Sequence, residues 1–365
     1  MDLYALILIL IYLLTHIYIR YGLSISCKLP KSNTENHTVT VIVAAKNEEK
    51  NISRCISSLK KLDYRYIKEI FLVNDNSNDS TKEIMLKETD GFPVFKVIDS
   101  SKENSNNLKG KANALNTAIE LSAGEIIIGT DADCEVDSTW VSEIVQYYDD
   151  ETGMVCGFSI IQNNNRLFRI VQTIDWIYLQ TLASGSCGMK QTLSCIGNNL
   201  SFLKEAYKKM GGYQSISFSV TEDFALMQKI YYDKRYNIKY PVNKDALIIT
   251  SACENISEVY RQKRRWIKGG LKINGLGRFI GPQLYAANLI MLSGWIYLSL
   301  PVYLSFIILK FISEIILINR TMTEFDLTHL YKYFIPFQLY FALYGLSLPL
   351  TFLVNRRIIW KDRKF

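Results

Sequence analysis

The chain has 365 residues, 48% of them hydrophobic, with a formal charge of +7. That length allows one large domain or two ordinary ones. A mean hydropathy of +0.05 is high for a purely soluble protein, and the apolar residues cluster at both ends, which points to a membrane protein with a soluble middle.

The positive charge gathers around residues 261–278 and in the last ten residues, beside apolar segments and with no nucleic-acid motif. That placement speaks for the cytoplasmic membrane surface and against a nucleic-acid partner. The seven cysteines are scattered, with no Cys-x-x-Cys, so they read as reduced thiols and not as a disulfide framework or a zinc site. Three histidines argue against a His-rich metal centre.

Leu3 to Ile19 is almost unbroken Leu, Ile and Tyr. Asp2 precedes it where a signal peptide would carry basic residues, and no small-residue cleavage site follows. Residues 1–24 are therefore expected to form an uncleaved transmembrane anchor. Arg20, Lys28 and Lys31 place its carboxyl side in the cytoplasm, and residues 25–37, polar from 28 and containing Pro30, read as a linker.

Thr38 to Ala45 reads as a strand, and Ile52, Ile56 and Leu59 then recur at helical spacing. Glu69 to Val73 is a second strand, ending in the polar loop Asn74-Asp75-Asn76-Ser77-Asn78-Asp79-Ser80-Thr81, where Asp79 or Ser80 can cap the next helix. Pro93 to Ile98 is a third strand. The segment Lys109-Gly110-Lys111-Ala112-Asn113-Ala114-Leu115-Asn116 leads a helix that ends at Gly124. Glu125-Ile126-Ile127-Ile128-Gly129-Thr130-Asp131 follows, a run without polar alternation, as in a strand buried on both faces. Strands alternating with helices predict a parallel sheet with ligands at the carboxyl ends of its strands.

Asp131 and Asp133 lie two apart, so on a regular strand they would share a face. Carboxylates held together repel unless a cation lies between them, and hard oxygen ligands suit Mg2+ or Mn2+ with substrate phosphates. A lone Asp-x-Asp is more often a solvated acidic turn. Asp75 ends a neighbouring strand on the same rim, and Lys109 and Lys111 could meet phosphate there; alone, each has an ordinary reading as a turn cap or a solvated lysine.

Met154 to Ile161 is expected to be a strand, and Phe168 to Leu182 a core helix or one lying on the membrane. Val220-Thr221-Glu222-Asp223 has a Thr cap with acids in the first helical turn. In Gln262-Lys263-Arg264-Arg265-Trp266, residues 262, 265 and 266 share a helix face. An amide, a guanidinium and an indole there suit a diphosphate and a sugar; a basic helix resting on anionic lipid is the plainer reading. Residues 283–318 read as one kinked span or two short ones, residues 331–355 as another span, and residues 356–365 as a basic cytoplasmic tail.

Taken in order, six motifs resemble one family. They are Val41-Ile42-Val43-Ala44-Ala45-Lys46-Asn47-Glu48-Glu49, Val73 to Thr81, Gly110 to Asn116, Asp131-Ala132-Asp133, Thr221-Glu222-Asp223 and Gln262-Lys263-Arg264-Arg265-Trp266. The chain is similar to membrane-anchored family 2 glycosyltransferases, in the branch with cellulose, chitin and hyaluronan synthases and ceramide glucosyltransferases. The resemblance implies an α/β GT-A fold, a Rossmann-like mixed sheet flanked by transmembrane helices. Residues 38–245 would be the cytoplasmic catalytic domain and 246–282 interfacial helices. It further implies that Asp75, Lys111, Asp131, Asp133, Gln262 and Arg265 bind the nucleotide-sugar, with Asp131 and Asp133 holding Mg2+ or Mn2+. Asp223 would be the catalytic base, and Trp266 and Glu222 would meet the acceptor. Asn74 and Asn76 depart from the family pattern beside Asp75.

These expectations describe an inverting enzyme of the cell membrane, the plasma membrane if bacterial, moving a sugar from a nucleotide-diphospho-sugar, by family habit a UDP-sugar, to a lipid acceptor at the cytoplasmic face. A processive polysaccharide synthase with a glycan acceptor is the alternative, and an inactive nucleotide-binding scaffold the third reading.

Overall fold

The computed structural model describes residues 1–31, 36–103, 107–162, 165–354, 359–360 and 363–364. Parts of the expected linker and most of the basic tail lie outside the described residues.

After α1 (Asp2–Ser26) the chain continues with β1 (Val39–Ala45), α2 (Ile52–Leu59), β2 (Ile67–Asn74), α3 (Thr81–Thr89), β3 (Phe95–Asp99), α4 (Lys111–Leu121) and β4 (Ile126–Asp131). Then come β5 (Glu135–Val136), α5 (Trp140–Val145), β6 (Thr152–Cys156), β7 (Ser159–Ile161), α6 (Leu167–Gly188), β8 (Leu200–Leu203), α7 (Lys204–Lys209), α8 (Glu222–Asp233), β9 (Asn237–Lys239) and β10 (Ile248–Thr250). The chain closes with α9 (Ile256–Gly269), α10 (Gly275–Ser293), α11 (Leu300–Glu324) and α12 (Phe334–Val354).

The main sheet has seven strands in the order β3-β2-β1-β4-β8-β6-β9. The first four are parallel, as the alternation predicts, whereas β8 runs antiparallel to both β4 and β6. The sheet is therefore mixed. Its central strands are buried on both faces: Val39, Val41 and Val43 pack with α2 and α5 on one side, and Ile42 faces the core containing α4 and α6 on the other.

The stretch expected as one strand from Met154 to Ile161 is two strands in two sheets: β6 lies in the main sheet and β7 pairs with β10 in a smaller one. The break falls at Gly157, where a Cβ would stand 2.3 Å from Nδ2 of Asn199. The Asn199 side chain occupies that place because it bonds Trp140, Phe158 and Ala246.

α6 is a core helix, with nearly every side chain from Ile170 to Cys187 buried. α1 packs against it. Cβ atoms added at Gly22 and Gly185 would meet the Gly185 and Ile19 carbonyl oxygens at 2.0 and 2.4 Å, so the two backbones touch where only glycine fits.

Among the described residues, three helical segments, 2–26, 300–324 and 328–351, are long and apolar enough to cross a membrane. The apolar stretch 283–318 divides between α10 and α11, separated by residues 294–299, with Pro301 in the first turn of α11 where its missing N–H is harmless. Inside this bundle Lys310 and Glu314 pair at 2.8 Å, both buried, and Gln338 of α12 bonds both. Tyr12 of α1 donates to the same Glu314.

Candidate active site

Strand register brings the acids together. Ala45 pairs with Asn74 and Ala44 with Asp131, so Asp75 and Asp131 emerge at the carboxyl ends of the two strands that flank β1. The Asp75 N–H donates to the Ala45 carbonyl at 2.8 Å, and its carboxylate accepts from Ser100 at 3.3 Å.

β4 stops at Asp131, and Cys134 N–H donates back to the Asp131 carbonyl at 3.1 Å, closing a turn. Asp133 thus sits on a turn, and the alternation rule for strands does not orient it. It still lines the same cavity as Asp131. Arg54 of α2 braces this turn: its guanidinium bonds the Asp133 carbonyl at 3.4 Å and Ser251 at 3.1 Å and pairs with Glu135 at 2.9 Å. Nothing in the local sequence around Arg54 advertises that role, because these partners are 79 to 197 residues away.

Gly110, at φ +57°, turns the chain into α4 and puts Lys111 in its first position. Lys111 Nζ pairs with Asp131 and stands 3.3 Å from Glu222, bridging β4 to α8. Burial alone would depress the ammonium pKa, but the neighbouring Asp131 and Glu222 hold it above its ordinary value.

Asp223 is the second residue of α8, and its Oδ1 accepts the Phe224 N–H at 2.8 Å. The Thr221 side chain, expected as the cap, makes no capping bond and is 3.2 Å from Ser219 Oγ instead. Burial raises the Asp223 pKa to about 6, with the Glu222 carboxylate adding to the rise and Lys111 and Arg265 opposing it.

α9 presents Gln262, Arg265 and Trp266 to this cavity, and the Trp266 ring lies 5.2 Å from that of Trp176 on α6. All nine residues expected in the site, Asp75, Lys111, Asp131, Asp133, Glu222, Asp223, Gln262, Arg265 and Trp266, line one cavity of about 480 Å³. Sequence reading missed Gly197 and Asn198 in its wall. Among the described residues, Asn198 Oδ1 is buried without a hydrogen-bond partner, in contrast to the fully bonded Asn199 beside it. The Gly-Asn-Asn sequence was the only available signal, and it is shared with ordinary turns.

Among the described residues no cluster of three or more His, Cys, Asp or Glu side chains is arranged to hold a metal ion. Asp131 and Asp133 supply two hard carboxylates, which fits a cation whose remaining ligands are waters and substrate phosphates. The nearby Cys55 and Cys134 do not add to that set: burial pushes both thiols well up, with Asp133 and Asp131 reinforcing the effect.

A poly-β-1,6-N-acetyl-D-glucosamine synthase of Staphylococcus aureus (strain COL) is 29% identical to this chain over 265 residues, 70% of this chain and 59% of the relative. That of Staphylococcus epidermidis is 28% identical over 283 residues, 74% of this chain and 65% of the relative. The chain thus spans less than two thirds of the length of the curated relatives it matches. Among solved structures, a mannosyltransferase from Pyrobaculum calidifontis in complex with GDP-Man and Mn2+ superposes with a TM-score of 0.60 at 18% identity, covering 93% of this chain and 96% of that one, a likeness of fold. Residues 40–211 match glycosyl transferase family 2, and residues 126–354 match glycosyl transferase family group 2. The chain is a glycosyltransferase and belongs to family 2, with the GT-A fold.

Proposed function

We propose that the enzyme transfers one sugar, with inversion, from a UDP-sugar to a lipid acceptor at the cytoplasmic face of the membrane. The observation that carries this reading is the lining of the cavity. Its wall combines Asp75, Asp131, Asp133 and Asp223 with the apolar residues Leu182, Ala183, Leu193, Ile280 and Leu284. The polar part of that lining suits a nucleoside diphosphate with its cation, and the apolar part, which includes Ile280 and Leu284 of α10, suits a lipid tail.

Asp75 sits where the nucleoside enters, and Gln262 and Arg265 face the diphosphate. Asp131 and Asp133 would hold Mg2+ or Mn2+, which supplies charge stabilisation to the diphosphate oxygens when bound. Asp223 takes the proton from the acceptor hydroxyl as its oxygen bonds the anomeric carbon. The bond from that carbon to the diphosphate breaks, and Arg265 stabilises the charge gathering on the leaving group. Trp266 and Glu222 line the acceptor's approach. Bringing donor and acceptor into line in one cavity lowers the entropic part of the barrier.

A processive synthase is the second reading, favoured by the names of the Staphylococcus relatives. Purified protein in lipid, given a panel of radiolabelled UDP- and GDP-sugars with Mg2+ or Mn2+, tests both. Label passing into organic solvent with one sugar per acceptor supports the lipid reading. A ladder of longer products retires it in favour of the polymer, and release of nucleotide with no labelled lipid or polymer retires both.

A further inference from the structure

Two residues behind the catalytic face of α9 are charged, buried and unused by the chemistry above. Lys263 is 5% exposed and Asp175 of α6 is 1% exposed, and their side chains form an ion pair. The other Asp175 oxygen accepts from the Tyr344 hydroxyl of α12 at 2.5 Å. The Lys263 ammonium also lies 4.5 Å from the centre of the Trp266 ring and 5.1 Å from that of Tyr344. Tyr260, one turn earlier on α9, bonds Ser347 of α12.

Burying two charges is a poor way to gain stability, since apolar side chains of similar volume do as well or better. A charge-assisted pair is directional, however, and an apolar contact is not. Lys263 neighbours Gln262 in sequence and Trp266 one turn on, so whatever fixes Lys263 fixes the rotation of α9 about its axis.

We propose that Lys263 is a positioning residue for transfer: paired with Asp175 and sandwiched against Tyr344, it sets the rotation of α9 that aims Arg265 and Trp266 into the cavity. The inference rests on reading that face of α9 as diphosphate- and acceptor-binding. It also makes α12 part of the catalytic apparatus, since Tyr344 orients the carboxylate that holds Lys263.

The test uses the full chain in lipid nanodiscs with UDP-N-acetylglucosamine and Mn2+, or whichever donor in the panel the wild type turns over. Lys263→Met is expected to lower kcat by about 100-fold, the scale of a misplacement near 1 Å, with donor KM changed little. Tyr344→Phe should lower kcat less, and Lys263→Arg, which keeps the charge on Asp175, should retain most of it. Indole emission should change in Lys263→Met and not in Lys263→Arg, because Trp266 loses its cation. If Lys263→Met fails to fold, Asp175→Leu combined with Lys263→Met leaves no unpaired charge, and its kcat decides. A folded Lys263→Met or double variant with wild-type kcat overturns the proposal, as does a change confined to KM. Arg265→Ala and Trp266→Ala serve as benchmarks: if they remain fully active, the reading of α9 has failed; if they are inactive while Lys263→Met is not, the positioning role alone has failed.

Discussion

Gly197 lies against Asp223 so closely that a Cβ at position 197 would sit 2.8 Å from Oδ2 and 3.0 Å from the Asp223 Cβ. A side chain there would push the carboxylate out of its place at the start of α8. Gly197→Ala is therefore expected to lower kcat by about 100-fold, in line with small displacements of a reacting group, with Asp223→Asn at least as impaired. Steady-state transfer kinetics check this, with thermal unfolding as the control for folding. Wild-type turnover in Gly197→Ala would show that this contact does not hold the carboxylate in place.

The raised Asp223 pKa, about 6, sets the acid limb of the pH profile. A base works only when ionised, so kcat/KM should be full above that value and fall as pH drops through it. The Glu222 carboxylate is part of the cause of the rise. Removing its charge in Glu222→Gln should move the limb to lower pH. A profile flat across pH 5–7, or a limb that moves upward in the variant, contradicts the assignment.

The alternation of β1–β4 with α2–α4, the acid-tipped end of β4 and the shared face of Gln262, Arg265 and Trp266 were legible because each is written in the local pattern of residues. The antiparallel entry of β8 was not, since nothing local in Leu200–Leu203 states its direction. Gly197 and Arg54 escaped for a related reason: each matters through a partner that only the fold brings near. The charges Lys310 and Glu314 are visible in an apolar run, but their pairing with Tyr12 and Gln338 depends on how three helices meet. Asp133 was placed in the right cavity by a strand rule that does not apply to it, because the strand had already ended.

With so small a protein contribution to a cation, metal dependence should be strong and substrate-linked. Dialysis against EDTA should abolish transfer, and Mn2+ or Mg2+ should restore it. Asp133→Asn should raise the half-activating Mn2+ concentration, measured at saturating donor. Unchanged activity in EDTA would show that Arg265 and Lys111 suffice for the diphosphate.

Lys310 and Glu314 neutralise each other in the bundle interior. Lys310→Met leaves Glu314 buried without its cation, a change that typically costs about 3–5 kcal/mol. The double variant Lys310→Met with Glu314→Gln should recover much of that loss. Thermal unfolding in detergent of the two variants and the wild type checks the order. Equal midpoints for the single variant and the wild type would mean that water reaches the pair.

The bare contact between Gly22 on α1 and Gly185 on α6 has a practical corollary for anyone trimming this enzyme. α6 lines the candidate active-site cavity through Trp176, Leu182 and Ala183, and the first helix is seated on it backbone to backbone. A version cut to begin at β1 would strip a greasy seam off the enzyme's underside, and a borrowed leader with leucines in place of Gly22 could not settle into the slot. Swapping in a foreign helix that keeps a glycine at this one level is the design most apt to leave turnover intact.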